Sequence, residues 1–483
     1  MPINASGPIS MGGTTPGESI QYELLKSGSE QVSMNDEKFR RLSGQSTGTV
    51  DYLSTRGKSL PYLHNIINRD GSVATAVSTS EGKGVAISGD GNTLALGAYN
   101  AGSSTDAYGR SIGNVTIYVR SGDTWTQQTI ISPTWTGYSI YSNITGEYAT
   151  YYYGPEIGTA LALSSDGNIL AIGARKDNST GTNSPVGRVW IYTRSGSTWS
   201  LQTSLVPDDA LNSPNFGFSL SMTPDGTTLA IGGPGDYAVN GVVRGATWIY
   251  TRSGSTWTKQ SKIVGSGYVN GYTGCAMGRD VSLSNDGNTL AFSSYGEYPT
   301  AKGAYYVWTR SGSSWSQQQR VTYLSFFAEG NGYYFGNCVS LSADGNTLVT
   351  SAPYANSSNG AGALVYTRSG STWTYRAQLY ASGINSSGQG QGISTIITTN
   401  PLNSSLYDVI FTTECYTKSQ KVMMRYTGSG ASWSETERIT PIVNPQYNWS
   451  TSPFEGKPLA AASTGRTVVA GSQYQGNTSI LMK

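Results

Sequence analysis

Five aspartates recur at matching points of the sequence, Asp90, Asp166, Asp225, Asp286 and Asp344, each inside a version of S-x-D-G-N. A ladder of acidic turns could hold hard cations, but calcium takes six or more oxygens from several groups. Each turn here offers a single carboxylate. They read as tight hairpin turns, in which glycine supplies the positive φ, and no metal is expected. Glycoside cleavage needs two placed carboxylates. Glu147, Glu156, Glu297, Glu329 and Glu414 are available, yet no acid pair recurs with the repeat. The single histidine, His64, argues against a histidine-based zinc site or a Ser–His pair. Cys275, Cys338 and Cys415 make neither a disulfide framework nor a C-x-x-C pair. No catalytic residue and no cofactor is expected, and the chain reads as a protein that is not an enzyme.

Composition narrows the partners. Lys and Arg number 31 against 29 Asp and Glu, and only 12% of the 483 residues are charged. That balance leaves no footprint for nucleic acid or an anionic membrane. No run of about 18 apolar residues is present, so no membrane insertion is expected. The opening MPINASGPIS has neither a basic nor an apolar region, which argues against export by a signal peptide. Gly (61) and Tyr (33) are abundant, as in a turn-rich β protein with aromatic loops.

The aspartate turns belong to a repeat. Versions of TRSGSTW end at Trp125, Trp199, Trp257, Trp315, Trp373 and, worn to TGSGASW, Trp433. Successive aspartates lie 76, 59, 61 and 58 residues apart, a fixed period that signals a repeat architecture. Within one period FGFSLSMTP alternates, DG turns the chain, TTLAIGG is a second strand, GATWIYTR a third and TWTKQSKI a fourth. No helical period runs through these units. Four antiparallel strands per unit of about 59 residues specify β-propeller blades.

Residues 70–483 hold about seven such units. Five are plain, the sixth (ISTIITT, YDVIFTT, VMMRYTGSG, ASWSETERI) is degraded, and the seventh (KPLAAASTG, RTVVAGS, TSILMK) has three strands. A bare outer edge there invites aggregation, so SLPYLHNI, residues 59–66, is expected to close the ring. The expected fold is all-β: a seven-bladed β-propeller over 59–483, closed by an N-terminal strand. An extended arm, 1–58, precedes it. The arm carries one short helix capped by Asn35, with Asp36 and Glu37 in its first turn, stopping before Gly44.

Topology sorts the loops onto two faces. One carries only the DG and RSGS turns, with Arg120, Arg194, Arg252, Arg310 and Arg368 at one recurrent point, expected to lie over the neighbouring Trp or pair with the turns. The recurrent Trp residues are expected between blades. The other face varies in length and is rich in aromatics: Trp135, Tyr138, Tyr141, Tyr148, Tyr151, Tyr152 and Tyr153 in one connection, Phe326, Phe327, Tyr333 and Tyr334 in another. Tyr among Ser, Gly and Asn suits adaptable recognition of a protein or glycan, so these residues are the candidate receptor-binding set.

Phe216-Gly217 and Phe335-Gly336, the LAIGA and LAIGG segments and the G-x-V/A-x-x-Y strands together resemble the FG-GAP repeat family, the seven-bladed propellers related to the integrin α-subunit head. Many members of that family carry a D-x-D-x-D-G calcium loop, which here has shrunk to S-x-D-G-N. VSMNDEKFRRLSGQSTGTVDYLSTRGKS, residues 32–59, is similar to the N-terminal module of structural proteins in tailed and large marine viruses. That resemblance implies an arm that plants an exposed domain on a particle, with Asn35, Phe39, Arg40 and Leu42 as candidate docking residues and other virion proteins as partners. The implied function is a non-enzymatic virion structural protein, on capsid or tail, that displays its propeller to a host glycan or surface protein. The alternatives are a cell-surface adhesin, located outside the cell, and a glycan-active enzyme.

Overall fold

The computed structural model describes residues 63–67, 81–98, 112–122, 124–134, 140–141, 148–149, 154–178, 185–211, 213–236, 243–267, 275–297, 303–322, 335–353, 362–380, 391–415, 420–439, 459–463, 467–470 and 478–482. The chain divides into two compact units, 66–479, and 1–65 with 480–483. In the smaller unit only the strand residues from 63 and from 480 are described. The arm, its expected helix and the docking candidates Asn35, Phe39, Arg40 and Leu42 lie outside the described residues. All regular elements among the described residues are strands.

The repeat folds as β-propeller blades. Six sheets each consist of four consecutive antiparallel strands, spanning 81–131, 160–205, 219–263, 277–322, 339–379 and 391–439, here called the first to sixth blades. Six such blades replace the seven expected. The cause lies in the C-terminal segment, whose sheet takes the order Leu459–Ala461, Thr467–Ala470, Thr478–Met482, Leu63–Ile67 and so is not built from four successive strands.

Within a blade, burial follows position. The second strands, such as Ile169–Ala174 and Thr228–Gly233, are buried throughout, because neighbouring blades cover both of their faces. The outermost strands alternate between exposed and half-buried residues. A bulge interrupts the pairing of third and fourth strands at one recurrent place: after Ile117, Ile191, Ile249, Val307, Val365 and Arg425. Bulges increase local twist, and repeating one at this point gives every blade the same outer curl.

The apolar core lies between blades. One cluster joins Ala95, Val115 and Ile117 of the first blade to Leu170, Ile172 and Trp190 of the second. Another joins Ala171 and Ile191 to Phe216, Ile231 and Trp248, with Phe216 edge-on to Trp248 at 5.3 Å between centroids. Each buried side chain of this size contributes about 1.5–3 kcal/mol.

Backbones also approach across the seams. A Cβ added to Gly97, Gly173 or Gly232 would meet the carbonyl of Gly158, Gly217 or Gly278 in the next blade at 1.9–2.2 Å. Those three partners hold φ between +79° and +89°, where only glycine is unstrained. Short parallel bridges, Gly113 to Ile157, Gly187 to Phe216 and Gly245 to Met277, lie beside these approaches.

A ladder of indoles crosses the outer seams. The Nε1 of Trp199, Trp257, Trp315 and Trp373 donates to Gln128, Gln202, Gln260 and Gln318 of the preceding blade at 2.8–3.0 Å. Trp433 instead donates to Gly430 O in its own turn, because the fifth blade has Arg376 where the first four have that glutamine. Trp125 Nε1 is buried with no hydrogen-bond partner among the described residues.

Candidate functional site

The two ends of the blade stack differ in how their loops are built. At the regular end each aspartate closes its own turn. Asp166 Oδ1 accepts from Ser164 Oγ and from the Asn168 amide, and Oδ2 accepts from Asn168 Nδ2. Asp90, Asp286 and Asp344 repeat this, and Asp225 does so through Thr223 and Thr227. The asparagine oxygen then accepts from Nε of the recurrent arginine, at 3.1 Å for Arg194. Arg120, Arg194, Arg310 and Arg368 lie over Trp125, Trp199, Trp315 and Trp373 at 5.4–5.8 Å from the centroids. Arg194 and Arg368 also reach back to Thr93 and Thr289 of the preceding blade. Arg252 bonds the carbonyls of Gly226 and Gly254. These arginines brace turns and seams.

The same contacts set an acid response. Burial alone would push the Asp166 carboxyl up. The bonds from Ser164 and Asn168 together with the Arg194 charge outweigh it and hold the group below its ordinary value of 3.8. Asp90, Asp225, Asp286 and Asp344 are lowered in the same way. A group lowered on folding stabilises above its unfolded value and loses that contribution as pH falls through the folded one. Melting temperature should hold from pH 7 to about pH 5 and drop below about pH 4. Asp166→Ala with Asp286→Ala should cost about 0.5–1.5 kcal/mol per turn at pH 7 and flatten the acid limb. Thermal melts across pH would read both, and an unchanged limb would remove the turns as its source.

The opposite end is made of the connections between second and third strands and between blades. Of the candidate receptor-binding residues, Tyr141 and Tyr148 occupy facing positions in a two-stranded hairpin, Ile140–Tyr141 with Tyr148–Ala149. Trp135, Tyr138, Tyr151, Tyr152, Tyr153, Phe326, Phe327, Tyr333 and Tyr334 lie outside the described residues.

Two of the carboxylates noted as catalytic candidates, Glu156 and Glu297, are engaged by cations. Glu156 pairs with Arg175 at 2.6 Å and with Lys176 at 2.5 Å. Glu297, buried, holds Arg320 Nη2 at 2.5 Å and accepts from Tyr306 Oη. Glu414 lies in the strand Tyr407–Cys415, and Glu147 and Glu329 are outside the described residues. Cys275 is buried beside this group, and burial, with the Glu297 charge adding, pushes its thiol up to about 12, so it holds no thiolate at neutral pH.

Asp177 and Asp236 pair with Arg188 and Lys262, as Glu297 does with Arg320. Each of the three acids stands eleven residues after a turn aspartate, a recurrence that an eye for acid pairs passes over. Their cations come from the third or fourth strand, so they tie a connection to the body of the blade. Among the described residues no group of three or more His, Cys, Asp or Glu side chains gathers as a metal site.

The inner strands Glu81–Ile87, Ala160–Leu163, Ser219–Met222, Met277–Leu283, Val339–Leu341 and Gln391–Thr399, with Leu459–Ala461, surround a central channel. Ser221, Ser282 and Ser340 each accept from an amide of the next inner strand, those of Leu283, Leu341 and Ile397. Asp280, 4% exposed, accepts from its neighbour Val281 and, across the seam, from Val339 N at 2.8 Å. A cavity of about 280 Å³ opens in this channel, walled by the inner strands, with Phe218, Arg279, Asn337 and Cys338 among its lining. The Arg279 guanidinium lies 4.2 Å from the Tyr295 ring centroid and 5.4 Å from that of Phe218, over which Arg175 also lies at 5.1 Å. Composition alone did not single out this group.

No family model matches the chain, and no curated protein matches it. Among solved structures it is similar to a periplasmic gluconolactonase of Pseudomonas aeruginosa. Identity is 14% and the TM-score 0.43, over 76% of this chain and 90% of that one. It is also similar to TolB from Acinetobacter baumannii, at 11% identity and a TM-score of 0.32, over 77% of this chain and 60% of that one. The assignment as a propeller rests on the sheets themselves. The expectation that the chain is not an enzyme does not stand, because the first of these structures is an enzyme. At such identity the likeness gives this chain no activity either.

Proposed function

We propose that this chain is a structural protein of a virus particle that displays its propeller for attachment to a host surface. The observation that carries the reading is the contrast between the two ends. At one, short turns repeat and satisfy their own polar groups; at the other, connections differ in length and composition from blade to blade. Binding residues concentrate on variable loops held by a rigid scaffold, and Tyr-rich loops suit a host glycan or surface protein. The arm, through Asn35, Phe39, Arg40 and Leu42, joins other virion proteins. The blade glycines and their phenylalanines support kinship with FG-GAP propellers, and the place of Leu63–Ile67 beside Thr478–Met482 supports closure of the last sheet by the N-terminal strand.

The test is binding to host cells and to arrayed glycans. Tyr151→Ala, Tyr152→Ala and Tyr153→Ala combined should leave the melting temperature within about 2 °C, since loop changes fall within about 0.5 kcal/mol. Binding should fall by at least about tenfold, as loss of aromatic anchors does. Arg194→Gln with Arg310→Gln on the regular end should leave binding unchanged. The reverse pattern would make the regular end the contact surface and end the attachment reading as stated.

A further inference from the structure

From the four side chains that stand at one repeat position around the channel, we infer that the channel mouth beside Arg279 is a binding site for a small carboxylate. The repeat itself points there. Around the inner strands most positions keep their character: Leu161, Leu220, Val281 and Val339 occupy one position, all apolar, and the Asp turns another. Next to Ala160, Ser219, Asp280 and Cys338, which also differ, the residue that follows the left-handed glycine of each blade entrance breaks this rule most strongly. In the second to fifth blades it is Thr159, Phe218, Arg279 and Asn337. Four unlike side chains at one position of a near-identical repeat are not needed by the blade, which folds with any of them. Three of the four line the cavity.

The chemistry is set by Arg279. Its guanidinium lies over Tyr295 and near Phe218, and a planar fork held against rings loses little freedom when it binds a carboxylate through two bonds. Asn337, 6% exposed, donates Nδ2 to Cys338 Sγ at 3.4 Å, which holds a polar amide in the cavity wall beside Arg279. Asp280 lines the same cavity, but its two oxygens accept backbone amides, from Val281 and Val339, which fixes them. Apolar inner-strand side chains form the wall. The volume, about 280 Å³, lies at the lower end for small-molecule sites and suits one ring or a short chain end. A carboxylate of that size is offered by an acidic sugar at the end of a glycan or by a peptide terminus.

This site rests on the reading of the connection end as the binding end, and the test separates the two. The full-length protein is titrated with glucuronate, glucose and N-acetylglycine, followed by calorimetry and ligand-observed NMR. Glucuronate or N-acetylglycine should saturate while glucose does not, and whichever acid binds more tightly identifies the source. Arg279→Gln should weaken that acid by at least about tenfold. Arg279→Lys should fall between the two, and Arg310→Gln at the regular end should bind as the parent. Asn337→Ser, which leaves the stack on Tyr295 intact, gives a second reading of the site should Arg279→Gln misfold, and it should also weaken the acid. The inference is overturned if neither acid saturates, or if folded variants at 279 and 337 bind them as tightly as the parent. Binding of the acid without host-cell binding would sink the attachment reading alone. Host-cell binding that Arg279→Gln leaves intact, with no acid bound, would sink this site alone.

Discussion

Gly232→Val should unfold the seam between the third and fourth blades and take most of the propeller's stability with it. A Cβ at this position would lie 1.9 Å from Gly278 O and 2.2 Å from Ser219 Oγ. The first of these is backbone, fixed by the parallel bridge from Gly245 to Met277 and unable to turn aside as a side chain could. Ordinary overpacking costs about 1–3 kcal/mol because neighbours shift. Here the shift would separate a pair of blades that share the cluster of Ile249, Met277 and Phe292, so the expected loss is at least about 3 kcal/mol. Gly254→Ala is the control. That glycine has φ +59° with nothing within 4 Å of an added Cβ, and its replacement should cost only about 1–2 kcal/mol of backbone strain. Urea melts of the two variants give the comparison, and a Gly232→Val protein that melts with the parent would refute the close approach.

Removal of residues 1–70 should make the protein aggregate, whereas removal of 1–50 should not. The sheet at the C-terminus has Leu63–Ile67 at its edge, next to Thr478–Met482. The longer deletion leaves Thr478–Met482 with a row of unpaired backbone groups, the usual template for edge-to-edge association. The shorter one keeps that strand and deletes the arm, so the protein should keep the parent's solution size and, on the proposed function, fail to join particles. Size-exclusion chromatography with light scattering reads the first outcome and particle incorporation the second. Two truncations with the same solution behaviour would show that Leu63–Ile67 does not protect the edge.

How much of this is legible in the sequence follows from the range of the interactions. The S-x-D-G-N turns and the strands beside them are local, set by hydrogen bonds within five residues such as Ser164 to Asp166 and Ile169, and a repeat displays them many times. The expected place of the recurrent arginines over tryptophan is equally local, Arg194 and Trp199 being paired across one turn. The blade count failed at the last sheet, which is not built from four successive strands: its order sets Leu63–Ile67, from the segment expected to close the ring, beside Thr478–Met482. The pairing of Glu297 with Arg320 and the stacking of Arg279 on Tyr295 were illegible. Each joins different strands or loops of a folded blade, and Arg279 gains its meaning only when four blades place Thr159, Phe218, Arg279 and Asn337 around one channel. The eleven-residue offset of Asp177, Asp236 and Glu297 was a usable signal.

The indole ladder makes the ring a belt with a buckle. Four successive seams are fastened on the outside by a Trp–Gln bond, and each bond points back to the blade before it. The run stops at Trp433, which turns to its own Gly430, and at Trp125, whose Nε1 has no partner among the described residues. The stretch from the fifth blade round to the first thus lacks, among the described residues, the fastening that the other seams share. Amide hydrogens there should exchange first, and the belt should open there before it opens elsewhere, so that heat or acid produces a linear string of folded blades before any one blade melts. Indole emission from Trp125 would report the buckle, and emission from Trp257 the strap.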